Sequence, residues 1–120
     1  MSAGNDVVMV VEDEPEARGV LTEILELEGY KVVGSSNGAE ALDYLLKAEA
    51  PCLIILDLGM PIMNGPELRA ALLGDPRLAK IPVVVVTAMD PSFARNLAAV
   101  RVFRKPVDIE ALVQVVRQNC

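Results

Sequence analysis

Short apolar runs alternate along this chain with amphipathic stretches, and the two patterns predict different elements. Val7-Val8-Met9-Val10-Val11 is an unbroken, mostly β-branched run, the pattern of a strand buried on both faces. Tyr30 to Val33, Leu53 to Leu56 and Val83 to Val86 follow in the same style. A fifth run, Val100 to Phe103, alternates more and carries Arg101, which suits a sheet edge. Continuous rather than alternating apolar strands predict a parallel sheet covered by helices.

The gaps carry helix signals. Pro15 suits a first turn, Val20, Leu21, Ile24, Leu25 and Leu27 supply an apolar face, and Gly29 closes the helix as the residue after its cap. Asn37 is placed to cap a second helix, with Glu40 reaching back and Ala41, Leu42, Leu45 and Leu46 turned inward. Pro66 opens a third helix that Gly74 ends, and Asp90-Pro91 starts a short fourth. Asp108 caps the last, where Val107 and Leu112 are spaced as a hydrophobic staple. Five β–α units in succession predict one α/β domain with right-handed crossovers.

Composition narrows the function classes. The 120 residues carry 17 acidic and 11 basic side chains, a formal net charge of −6. Nucleic-acid binding needs a basic stripe to neutralise phosphates, and the chain has none. There is no His, which excludes His-ligated zinc, a Ser-His-Asp triad and a phosphohistidine carried on this chain. One pair of cysteines, Cys52 and the last residue Cys120, gives poor support for a disulfide framework. The expectation is a reducing, cytoplasmic compartment, with Cys52 structural and no function implied for Cys120. No apolar run approaches the ~18–20 residues of a membrane span. The leader Met1 to Asp6 lacks the basic region of a signal peptide.

In a parallel α/β sheet, ligands bind beyond the carboxyl ends of the strands. The first strand ends in Glu12-Asp13-Glu14, the third in Asp57, the fourth in Thr87 and the fifth in Arg104-Lys105-Pro106. Each has an ordinary reading: an acidic helix start favoured by the dipole, a turn residue, a satisfied hydroxyl, an exposed turn lysine. Their coincidence at one edge favours a single site instead. Like charges so close raise one another's pKa unless a cation intervenes. All-oxygen ligands without His or Cys select Mg²⁺, or Mn²⁺. A hydroxyl and an ammonium beside that metal suit phosphoryl oxygens. One carboxylate then serves as nucleophile, and Asp57 is the best placed.

Those residues lie in motifs that resemble the receiver domain of two-component response regulators, in its small chemotaxis-type form. Val8 to Glu14 resembles the first-strand acidic motif, and Asn37-Gly38-Ala39-Glu40-Ala41-Leu42 the second-helix opening. Leu53 to Gly65 is similar to the phosphoacceptor strand and loop, and Ile81 to Ala88 and Lys105-Pro106 complete the set. The resemblance implies a flavodoxin-like (βα)5 doubly wound sandwich, a five-stranded parallel sheet in the order 2-1-3-4-5. It implies a single receiver domain over residues 1–120, with a core of about 6–118. Asp57 would accept a phosphoryl group from a phosphohistidine on a sensor histidine kinase or a phosphotransfer protein. Asp13, Asp57 and the backbone carbonyl of Gly59 would hold Mg²⁺, with Glu12 assisting through water. Thr87 and Lys105 would bind phosphoryl oxygens, Thr87 moving inward, and the small Ala88 would leave room for the donor. Lys105-Pro106 would be a cis peptide. Such a domain is a signalling module rather than an enzyme, although it catalyses its own phosphorylation and reset. Its output would be contact with a downstream protein, without nucleic acid or membrane insertion. It would be a monomer or weak dimer through the face of the fourth helix, fifth strand and fifth helix.

Three departures qualify the resemblance. Val102 stands where a switch aromatic is expected, and the adjacent Phe103 should point to the opposite face. Thr87 and Lys105 are closer in sequence than usual by about one helical turn, so the fourth helix, Pro91 to about Leu97, should be short or irregular. Gly59 replaces a bulkier residue beside the phosphoryl site. Two other readings stay open: a receiver-like interaction module acting without phosphorylation, and an aspartate-nucleophile phosphatase on a related fold. Against the second, Gly59 stands where such enzymes place an acid/base Asp.

Overall fold

The computed structural model describes residues 6–60 and 62–120. The leader Met1 to Asn5, and Pro61 in the loop after the third strand, lie outside them. The strands are β1 (Val7–Val11), β2 (Lys31–Ser35), β3 (Leu53–Leu56), β4 (Val83–Thr87) and β5 (Arg101–Arg104). They form one parallel sheet in the order β2-β1-β3-β4-β5. Four α-helices flank it: α1 (Pro15–Leu27), α2 (Gly38–Lys47), α3 (Gly65–Leu73) and α4 (Ile109–Asn119).

Alternation along the strands divides the core in two. Val8 and Val10 of β1, with Leu53, Ile55, Val84 and Val86, pack under α1 and α4 through Leu21, Leu25, Leu112 and Val116. Met9 and Val11, with Ile54, Leu56, Val83 and Val85, pack under α2 and α3 through Ala41, Leu45, Leu68 and Leu72. Both faces of β1, β3 and β4 are thus covered, the reason those runs are continuously apolar. Burial lapses in β2 and β5, the two edges.

The helix ends follow their chemistry. Asn37 accepts a hydrogen bond from Glu40 N at 2.8 Å, and Asp108 accepts one from Ala111 N at 3.2 Å. Val107 and Leu112 join the same core, as the staple spacing predicts. Contrary to the expectation, Glu40 does not reach back to its own cap. It accepts from Ser36 N and Ser36 Oγ, one residue earlier. The full reciprocal box sits on α3 instead, between Asn64 and Glu67. Gly29 has a φ of +97°, the left-handed conformation that glycine adopts without penalty.

The predicted helix faces are too wide. Leu21 and Leu25 are buried, but Val20 and Leu27 are exposed, because a residue one or two positions from the stripe is turned ~100–200° away from it. Leu46 is exposed for the same reason. The fourth helix is short and irregular, as expected: it is a single 3₁₀ turn, Pro91–Ala94, capped by Asp90, and it ends before the predicted Leu97. After Ala94 the chain turns at Ala98, where φ is positive, and no α-helix follows before β5.

Arg69 of α3 stabilises that shortened crossover. Its side chain is buried and donates from Nε to Leu97 O at 2.7 Å and from Nη2 to Ala98 O at 3.3 Å. Ala98 takes a φ of +55°, unusual for a residue with a Cβ. Burial lowers the Arg69 pKa, and its Nη1 is buried without a hydrogen-bond partner.

The cysteines overturn the expectation drawn from their number. Cys52, just before β3, and Cys120, at the end of α4, form a disulfide with a Cα–Cα separation of 5.3 Å. Sequence distance hid the pair, since 68 positions separate them and only the sheet and α4 bring them together.

Candidate functional site

The carboxyl ends of β1, β3, β4 and β5 bring the polar residues together, as their place after each apolar run predicts. Asp57 follows β3 directly, and its N–H donates to Val11 O at 3.0 Å. Glu12 follows β1 and its N–H donates to Ser35 O at 3.0 Å. One carboxylate oxygen from each of Glu12, Asp13 and Asp57 lies within 4.8 Å of the others. The three differ in burial: Glu12 is 3% exposed, Asp57 is half-buried and Asp13 faces solvent.

Lys105 is the cation at this edge. Its Nζ lies 2.6 Å from Glu12 Oε1 and 3.6 Å from Asp57 Oδ2. Burial lowers its pKa, but the hydrogen bond to Glu12 and the nearby charges of Asp57 and Glu12 together outweigh it. The net result is a pKa above the ordinary lysine value. The ammonium charge thus persists where a neutral amine could not offset the carboxylates. Among the described residues only Lys105 forms ion pairs with these carboxylates, which leaves the edge short of positive charge. Hard oxygen donors at this spacing fit a small divalent cation such as Mg²⁺, with Asp13 and Asp57 as its nearest holders while Glu12 is engaged by Lys105.

Thr87 ends β4 with no exposed surface. Its Oγ1 accepts from Met89 N at 3.0 Å, so its hydroxyl proton remains available to donate. Lys105 N donates to Thr87 O at 2.8 Å, keeping the β4–β5 ladder intact up to the site. Lys105–Pro106 is a cis peptide, and Pro106 and Ala88 are exposed. Gly59 N lies 3.4 Å from Asp57 Oδ1. A Cβ at Gly59 would approach only Met89 Sδ, at 3.7 Å, so the backbone does not demand glycine there. Val102 is half-buried and packs toward α2 and α3, while Phe103 packs on the opposite face under the Arg101 guanidinium.

Close backbone approaches fix the loops. A Cβ on Gly65 would lie 2.7 Å from Asp57 O, and one on Gly38 2.7 Å from Met63 O. Both helix starts are therefore pressed against the loop that follows Asp57, and only glycine permits it. Two features escaped the sequence reading. Arg18 reaches from α1 to donate to Glu12 O at 2.6 Å, and no local pattern marks that contact. A cleft of about 410 Å³ opens beside the carboxylates, lined by Asp13, Gly59, Met60, Asn64, Met89 and Phe93.

Comparison with known proteins agrees with this geometry. The family model described as the response regulator receiver domain matches residues 8–117. Sporulation initiation phosphotransferase F of Bacillus subtilis is 31% identical over 120 residues, covering 95% of this chain and 93% of that protein. A response regulator receiver protein from Pseudomonas putida superposes with a TM-score of 0.88 at 30% identity, covering 98% and 99% of the two chains. The response regulator TrrA of Thermotoga maritima, whose structure is a complex with Mg(2+)-BeF, gives 0.84 at 28% identity, with 95% and 98% covered.

Proposed function

This chain belongs to the response regulator receiver domains, and we propose that it serves there as a phosphorylatable switch with Asp57 as the phosphoacceptor. The observation that carries this is the setting of Asp57, half-buried at the carboxyl end of β3 between Lys105 and the carboxylates of Glu12 and Asp13. A carboxylate held there attacks the phosphorus of a phosphohistidine, forming a P–O bond as the P–N bond breaks. Histidine leaves with its electron pair and takes a proton. Bound Mg²⁺, held by Asp13, Asp57 and the Gly59 carbonyl, would neutralise phosphoryl charge. That a similar chain, TrrA, is found with Mg(2+)-BeF supports this cofactor.

The remaining roles follow from what each group can still do. Lys105 supplies an ammonium to a phosphoryl oxygen, and Thr87 donates its free proton to another, drawing the Thr87–Met89 turn toward the site. Ala88 leaves the approach open. Water then hydrolyses the acyl phosphate and resets the domain. The donor is a histidine kinase or phosphotransfer protein, and the output is altered contact with a protein target. Val102 offers no aromatic ring to rotate, so the signal passes through the β4–β5 crossover backbone.

The test is labelling with a small-molecule phosphodonor, and binding of a beryllium fluoride analogue, with and without Mg²⁺. Wild type should label only with the metal, and Asp57→Asn should lose labelling while keeping its circular dichroism. A folded, Mg²⁺-binding wild type that takes up neither probe would favour an interaction module working without phosphorylation, the reading that Val102 and the shortened fourth helix otherwise recommend.

A further inference from the structure

We propose that Cys52 and Cys120 are a reversible redox site, tethering the end of α4 to the start of β3 when oxidised and releasing it when reduced. The fold and the carboxylate edge persist in both states. This inference uses no assignment at Asp57.

Three observations separate a switchable bond from a permanent staple. The first is that the helix is anchored without it. Leu112, Val113, Val115 and Val116 are all buried, and Arg117 pairs with Glu28 at the end of α1. Cys120 N donates to Val116 O at 2.9 Å. A domain of this length, with a core on each sheet face, can be stable without a covalent staple.

The second is that the reduced state is already accommodated. Cys52 Sγ lies 3.2 Å from Val7 O, so a thiol there finds an acceptor for its proton. Both cysteines pack against the α1–α4 core, where a thiol behaves as a small apolar group. The third is access. Both residues keep some solvent exposure, which attack by an external thiolate requires.

Placement says what the bond controls. Cys52 precedes β3 and Asp57 follows it, which puts the two about 17 Å apart along an extended strand. The carboxylates are therefore remote from the sulfurs. The tethered helix, however, forms one wall of a groove against α1, lined by Ile24, Glu28, Val113, Gln114 and Arg117. The bond holds the last turn of that wall, beyond the buried residues that keep the rest of α4 in place.

The chemistry is thiol–disulfide exchange. A reductant thiolate attacks one sulfur, the other leaves as thiolate, and a second reductant thiol displaces the mixed disulfide. Two electrons and two protons pass to the protein, and the reductant becomes a disulfide. A small disulfide such as oxidised glutathione reverses the sequence.

Equilibration of the folded protein in a series of reduced and oxidised glutathione, with acid quenching and maleimide alkylation, tests this. One transition between two-thiol and no-thiol monomers should appear, the masses before alkylation differing by about 2 Da. The reduced form should keep its circular dichroism and melt roughly 10 °C lower. Its Cys120 amide should exchange at least about tenfold faster, while those of Leu53 to Leu56 stay protected. Cys52→Ser and Cys120→Ser should each match the reduced form in every buffer. Thiols that remain alkylatable across the whole series would overturn the proposal. So would a bond that yields only after denaturation, or one that forms between chains.

Discussion

The two loops that follow β3 and β4 solve one problem in opposite ways. After β3, charged groups meet their counterparts within a single edge: Lys105 bridges Glu12 and Asp57, and glycines at 38 and 65 let the backbone close in. After β4, the crossover holds only a 3₁₀ turn, and its Leu97 and Ala98 carbonyls are held by Arg69, a buried cation from another helix with one nitrogen unpartnered. The first arrangement has spare charge that ligands can use. The second uses its buried cation to hold backbone carbonyls. Function belongs where the charges are left incompletely balanced.

Removing each cation should expose this difference. Arg69→Met should cost the larger amount, about 2–3 kcal/mol, because the Leu97 and Ala98 carbonyls lose a charged donor and the crossover has nothing to replace it. Denaturant titration gives the number, and amide exchange should rise first around residues 97–100. Arg69→Lys should recover little, since an ammonium cannot reproduce the guanidinium fork. An unchanged midpoint in Arg69→Met would remove the structural half of the contrast.

Lys105→Met should destabilise by a smaller amount, on the order of 1–2 kcal/mol, because its partner Glu12 is buried but the lysine itself stays partly solvated. The pH dependence has a definite sign. The folded pKa of Lys105 lies above its ordinary value, so its contribution is complete below that value and is lost as pH rises through the folded one. Wild type should thus lose stability on the alkaline side that Lys105→Met has already lost, and their difference should narrow above about pH 10.4. A gap that widened there would reverse the assignment.

The smallest effect tests the crossover backbone alone. Ala98→Gly should stabilise by about 0.4–1 kcal/mol if relief of the positive φ of 55° exceeds the entropy that glycine adds to the unfolded chain. A loss instead would mean that Arg69 already compensates the strain.

The same contrast explains what the sequence made legible. Glu12, Asp13, Asp57, Thr87 and Lys105 could be placed together because each directly ends a buried apolar run, and parallel pairing aligns those ends. Helix caps were readable for similarly local reasons, whereas the strand order came only with the family resemblance. Arg69, Arg18 and the Cys52–Cys120 bond were not, because each joins residues whose proximity only the tertiary fold creates. Leu27 and Leu46 were misplaced because apolar content marks a helix without fixing the width of its buried stripe.

The central claim is that Asp57, among the clustered carboxylates, forms the acyl phosphate. Borohydride reduction of phosphorylated protein converts an aspartyl phosphate to homoserine, and peptide mass spectrometry then locates it. The account predicts homoserine at position 57 alone, formed only when phosphodonor and Mg²⁺ were both present. Homoserine at position 13, or stable phosphate on Thr87 with position 57 unmodified, would contradict it.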